Sequence, residues 1–310
     1  MHTNNSHYRD YQRMLVQLHA LIAQGAAGSA EAAALREEME MPEGHLSRDE
    51  LVHLNALSGD LSMIHGREIA DKEVVDRIPR PQLPNLIRQA YERKDWDEML
   101  MLLRADVSEW LKADQIAYMR ARCYAELMEL SPAIAFMEAA ARLNAANVNY
   151  WALTMELLWK DGAFEEAYRR AEGHLADPAT PNRLVLMAGT IISRSAQQDP
   201  SPGDIDAAVA QAMRRMEQAL PNETATGILF AGFGTLGLLA AQVGETGKAE
   251  AALKEAIQLP VQTENLLSVR ALIICELEMI RAGQLKSSAE RALARQLADI
   301  IVPDAYALAA

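Results

Sequence analysis

Aromatic residues are scarce in this chain, 5% in all, and proline (12) and glycine (16) are few for 310 residues. A β-sandwich or barrel draws on aromatic and β-branched strands joined by turn formers, so these shortages argue against one. Cysteine is nearly absent. Cys123 and Cys275 stand 152 positions apart with no CxxC and no clustered histidines, which excludes a disulfide framework and a zinc site and leaves two buried thiols as the expectation. Basic residues are also short, 30 Lys and Arg against 43 Asp and Glu, and the resulting charge of −13 repels phosphate backbones and anionic membranes. Nucleic acid is therefore excluded as a partner. Long apolar runs are missing too. The 21 uncharged residues from Thr224 to Gly244 are long enough to span a bilayer, but Glu223 and Glu245 flank them and glycines, Thr and Gln dilute them, so they read as a buried helix. Met1–Asp10 is polar and has no basic-then-apolar secretory pattern, which makes a cytoplasmic location the expectation.

What the chain does contain points to helix. Half of its residues are hydrophobic, too many for disorder, and alanine, leucine, glutamate and methionine dominate. The expected fold class is all-α. A chain of this length exceeds one compact core, so it forms either two domains or an array that grows by adding units.

The first third reads as three short helices. Tyr8, Tyr11, Leu15, Leu18 and Ile22 share one stripe and Gly25 supplies a left-handed stop. Ser29 caps a second helix, expected to end before Pro42. Ser47 and Glu50 form a capping box for a third, whose Leu54, Leu57, Leu61 and Ile64 share a face before Gly66 closes it. Three prolines, Pro79, Pro81 and Pro84, forbid a continuous helix and set a boundary. The expected organisation is a three-helix segment over 1–78, a repeat array of about six helix pairs over 79–302, and a tail over 303–310.

Beyond the prolines the chain repeats itself. Gly162–Ala167, Gly203–Ala208 and Gly244–Ala249 share G-x-[apolar or Thr]-x-x-A, Gly283–Ser288 is a serine variant, and two degenerate copies surround Trp96 and Leu130 with Ala133. The third positions, 96, 130, 164, 205, 246 and 285, are spaced 34, 34, 41, 41 and 39. A 34-residue period is a helix-turn-helix unit, and each such pair buries its apolar stripes only by stacking on its neighbours. Ala167 and Ala249 are expected at close helix crossings, with Trp151 and Phe164 filling the hollows beside them. The segment Gln197–Pro202 is the clearest insertion behind the longer spacings.

On these residues the chain resembles the tetratricopeptide repeat (TPR) family over roughly 80–300. The best copy runs from Val148 to about Thr180, with Trp151, Leu158, Gly162, Phe164, Ala167 and Pro178 in the family's places. It departs from the pattern in the first copy, where Lys94 and Met99 replace the turn glycine and the small residue. The N-terminal helices resemble, more weakly, a leader segment of bacterial repeat proteins. The last five residues, Tyr306–Ala310, match the end of the peptide that bacterial trans-translation appends for proteolysis, which implies a degradation signal.

The resemblance implies an α-solenoid whose concave wall comes from the first helix of each pair, a non-enzymatic scaffold that takes a protein or peptide there. Carried through the register, its inward positions include Arg88, Tyr118, Arg122, Trp159, Lys160, Arg183, Arg194, Arg270 and Arg281. The full set holds seven basic and three acidic residues, the reverse of the chain's overall balance. An acidic segment with an aromatic or aliphatic anchor is the expected partner, because arginine forks suit carboxylates. Two other readings stand beside it, a sensor closing on a small apolar ligand and a structural subunit of an assembly; homo-oligomerisation stays open.

No cofactor or metal is expected. Gly232–Gly237 spells GxGxxG but lacks the second strand and ribose-binding acid of a dinucleotide site. Gly247-Lys248 lacks the earlier glycine and the hydroxyl of a phosphate loop. His19, His45, His53 and His65 lack ligand spacing, and paired acids such as Glu37-Glu38 and Glu165-Glu166 read as solvated helix faces.

Overall fold

A computed structural model describes residues 5–64, 79–105, 107–198 and 203–260. These form thirteen α-helices and two short 3₁₀ turns, with no strand among the described residues. Contacts divide the chain into two compact units, 1–146 and 147–310.

The first unit holds α1 (Ser6–Ala23), α2 (Ala30–Glu43), α3 (Arg48–Ile64), α4 (Leu83–Arg93), α5 (Trp96–Leu102), α6 (Ala113–Glu126) and α7 (Leu130–Leu143). The expected caps form: Ser29 accepts from the Ala32 N–H at 3.1 Å, and Ser47 and Glu50 exchange backbone N–H bonds at 2.7 and 3.3 Å. The second helix overruns its expected stop, because Pro42 sits in its last turn, where the Gly44 and His45 N–H groups satisfy nearby carbonyls instead. Tyr8, Leu15, Leu18, Leu54, Leu57 and Leu61 are buried. The three helices do not stand apart from the helix pairs of this unit: α1 and α3 pack on α7, and buried Asp60 of α3 takes two 2.8 Å bonds from Arg104 and one of 2.7 Å from Tyr124. The chain punctuation at 79–84 thus differs from the division of the cores at 146/147, since the N-terminal stripes find their apolar cover on the first helix pairs.

The second unit holds α8 (Val148–Lys160), α9 (Phe164–Ala176), α10 (Asn182–Ser195), α11 (Ile205–Ala219), α12 (Thr226–Gln242) and α13 (Thr246–Gln258). Here α10 is central, packing on α8, α9, α11 and α12. Ala167 and Ala249 are fully buried, as the register requires. Where the helices cross still more closely only glycine fits: a Cβ at Gly237 would lie 2.5 Å from Leu253 Cδ2, and one at Gly232 2.7 Å from Leu220 Cδ2. The GxGxxG run is therefore a packing surface in the middle of α12. That helix, 17 residues long, is buried on most sides, and no helix among the described residues is long and apolar enough to cross a membrane.

The five described pairs are α4/α5, α6/α7, α8/α9, α10/α11 and α12/α13. Their second helices start at 96, 130, 164, 205 and 246, the positions the repeat assigns. Two residues earlier the backbone is left-handed in every case, at Lys94, Met128, Gly162, Gly203 and Gly244, with φ of 57°, 62°, 82°, 57° and 79°. The architecture is an all-α, TPR-like array of helix pairs. The sixth pair, around 285, and the tail, with Cys275, Arg270 and Arg281, lie outside the described residues, as do Gly66 and most of the insertion at 197–202.

One expected filler sits elsewhere. Phe164 is 39% exposed, because it is the first residue of α9 and lies at the mouth of the turn, where it leans on Trp159 with ring centroids 4.8 Å apart. Trp151 is half-buried and meets His174 edge-on.

Candidate functional site

The bases assigned to inward positions divide between the two units, and each described one has an acid beside it. In the second unit α8 and α10 lie side by side, which brings Glu156, Trp159 and Lys160 to Arg194. Glu156 Oε2 accepts from Arg194 at 2.7 Å and its Oε1 is 3.7 Å from Lys160 Nζ; the Arg194 guanidinium lies 5.7 Å from the Trp159 ring centroid. Arg194 is only 3% exposed, so its charge is engaged inside the fold. Arg183 donates to Glu223 at 3.2 and 3.3 Å and to Asn149 Oδ1 at 3.4 Å. Burial alone would raise the Glu223 pKa, but the Arg183 guanidinium and the N–H groups of Ala225 and Thr224 hold it below the usual carboxylate range.

Of the uncharged inward positions of this unit, Ala152, Leu186, Thr190, Ser193, Ala231 and Leu238 are buried, Trp159 and Ala241 are half-buried and Gln242 is exposed. Thr190 and Thr235 share a 3.2 Å hydroxyl contact between α10 and α12. Most of the wall read as a groove lining is here an interior seam between first helices.

The first unit differs. Arg88 on α4 is 66% exposed and, among the described residues, meets Asn85 at 3.4 Å and Glu92 at 4.0 Å. One turn on, Tyr91 is 50% exposed and touches Trp96 edge-on, with centroids 5.8 Å apart. On α6, Arg122 donates to Tyr118 Oη at 3.3 Å and to Glu126 at 3.4 Å. Burial pulls the Arg122 pKa down, but Tyr118, Glu126 and the nearby Tyr91 outweigh it and raise it, so the guanidinium stays charged. The result is a partly open wall of two tyrosines around one held arginine, with a second, more exposed arginine at its edge.

Three of the acids that pair with these bases, Glu92, Glu126 and Glu156, were legible as the acidic members of the same inward set. Glu223 was not. It meets Arg183 across 40 positions, and nothing local marks such a pairing. No group of three or more metal-binding side chains occurs among the described residues. The first unit also has a cleft of about 460 Å³ between α1, α3 and α7, lined by Val16, Ala20, Leu61, Ile64, Ile134 and Ala135 among others.

No protein-family model and no curated protein matches the chain. Among solved structures it is similar to the crystal structure of the TPR domain of P58(IPK), at 15% identity over 94% of this chain and 79% of that one, with a TM-score of 0.33.

Proposed function

We propose that the protein is a non-enzymatic scaffold that binds a protein or peptide segment on the first-helix wall of its N-terminal unit, around Arg88, Tyr91, Tyr118 and Arg122. The observation that carries this reading is a contrast in exposure at one repeat position: Arg88 on α4 is exposed and Arg122 on α6 half-buried, whereas Glu156 on α8, Thr190 on α10 and Leu238 on α12 are buried. Arginine forks between tyrosine rings suit a carboxylate-bearing segment with an apolar anchor. Because Glu92 and Glu126 already lean on these arginines, an acidic ligand must displace them. The expected affinity is therefore modest and salt-sensitive.

The test is fluorescence anisotropy with labelled acidic peptides that contain one Leu or Phe, against the same peptides with Lys in place of the acids. Binding of the acidic series alone is expected. Arg88→Glu with Arg122→Glu should weaken it about tenfold, or ~1.4 kcal/mol, and more at low salt. Equal binding of both series, or indifference to the double reversal, overturns the assignment.

A further inference from the structure

A single carboxylate fastens the N-terminal helices to the first helix pairs. Glu129 follows left-handed Met128 in the turn between α6 and α7 and is only 3% exposed. Its Oε1 accepts the Tyr8 hydroxyl at 3.1 Å and lies 3.0 Å from His53 Nε2, while its Oε2 accepts from Gln12 Nε2 at 2.7 Å. Two of these groups come from α1 and one from α3, so one side chain ties both helices to the turn that opens α7.

Other charged groups surround this knot on every packed element. Glu50 on α3 is buried and takes Asn5 Nδ2 at 3.0 Å besides its capping bonds to Ser47. Asp97 on α5 and Arg104 just after it act on His53 with opposite signs. Asp60 on α3 is committed to Arg104 and Tyr124, and Arg120 of α6 lies close by, donating to the Leu103 carbonyl at 2.7 Å. Among the described residues, Glu129 and Asp97 favour an imidazolium over a neutral ring, and Arg104, paired with Asp60, opposes them. Burial pulls the His53 pKa down, but the Glu129 carboxylate 3.0 Å from Nε2 and the Asp97 charge more than offset it, so the pKa lies above the ordinary value.

We propose that this knot is a proton-dependent latch, in which a proton on His53 tightens α1 and α3 onto the α6–α7 turn and its loss loosens them. The sign comes from linkage. A histidine whose pKa is raised by folding contributes fully below its unfolded value, about 6.5, and that contribution fades as pH rises through the folded value. The imidazolium–carboxylate pair is mostly buried, so salt screens it little. The α1/α3/α7 cleft adjoins the same joint, and loosening the helices would uncover more of its apolar lining. This latch does not depend on the binding role of Arg88 and Arg122.

The experiment is amide hydrogen exchange by mass spectrometry on the full chain near pH 6 and near pH 8, with labelling times scaled to cancel the chemical pH dependence. Peptides from α1 and α3 are expected to exchange roughly threefold more slowly at the lower pH, and peptides from α9 and α10 equally at both. His53→Gln keeps an N–H donor but no charge and should flatten the difference. A wild-type chain with no pH difference, or one that persists in His53→Gln, overturns the latch. Where that variant fails to fold, an NMR titration of the wild-type His53 ring decides instead: a pKa above about 6.5 upholds the latch and one at or below it refutes the proposal.

Discussion

Lys94 and Met128 show how a single residue can carry a repeat's geometry without its usual chemistry. Both occupy the left-handed turn position that glycine holds at 162, 203 and 244, and left-handed backbone costs an L-residue about 1–2 kcal/mol. The pattern is steric, since the turn must reverse the chain within two residues whatever occupies it. Replacing Lys94 or Met128 with glycine removes that cost but adds unfolded-state freedom worth roughly 0.5–1 kcal/mol. Each substitution is therefore expected to stabilise the chain by about 0.5–1 kcal/mol, read as a higher midpoint in urea with an unchanged slope. A lowered midpoint would mean that the Lys94 or Met128 side chain makes contacts worth more than the strain. Cys123 makes a similar point about environment: its place inside α6 buries the thiol and pushes its pKa up to about 12, so it is an inert packing residue, as its apolar surroundings in the sequence suggested.

At the scale of elements, the apolar helix α12 is the clearest case of composition explained by packing. Its glycines let it approach α13 and the Leu220 turn, and a methyl group at Gly237 would meet Leu253 at both Cγ and Cδ2 within 2.6 Å. Gly237→Ala should cost about 1–3 kcal/mol. Gly247, the second residue of α13, has open space where a Cβ would stand and no left-handed backbone, so Gly247→Ala should stabilise by about 0.5–1 kcal/mol. Thermal unfolding of the pair separates the two roles of glycine in one helix hairpin, and similar shifts in both would refute the close crossing. Helix starts were readable because the small and apolar residues recur at fixed offsets. The second helix runs one residue past Pro42, to Glu43, so the proline costs the helix one i→i−4 bond at its very end rather than stopping it beforehand.

For the whole molecule, the N-terminal helices complete the core of the first unit. Deleting residues 1–64 would strip Asp60 from Arg104 and Tyr124, and Tyr8, Gln12 and His53 from Glu129, leaving several buried polar groups without partners at once. Each such group costs about 1–3 kcal/mol, so the loss approaches the total stability of a domain. Hydrogen exchange on the truncated chain should show α4–α7 unprotected and α8–α13 still protected. Full protection of α4–α7 would show that the first unit holds without those helices.

The helical class, the start of every described second helix and the burial of Ala167 and Ala249 were already determined by the sequence, since periodicity and small-residue spacing are local properties that each pair satisfies in the same way. Whether a base on a first helix faces solvent or an acid was decided only by the tertiary structure. Arg88 and Arg194 both belong to the inward set of a first helix, yet one is open and the other is sealed against Glu156 on the preceding first helix. The same holds for Glu129, whose partners Tyr8 and Gln12 on α1 lie more than a hundred positions away. Pairing of that kind depends on how closely neighbouring elements approach, and a linear pattern carries no record of that distance.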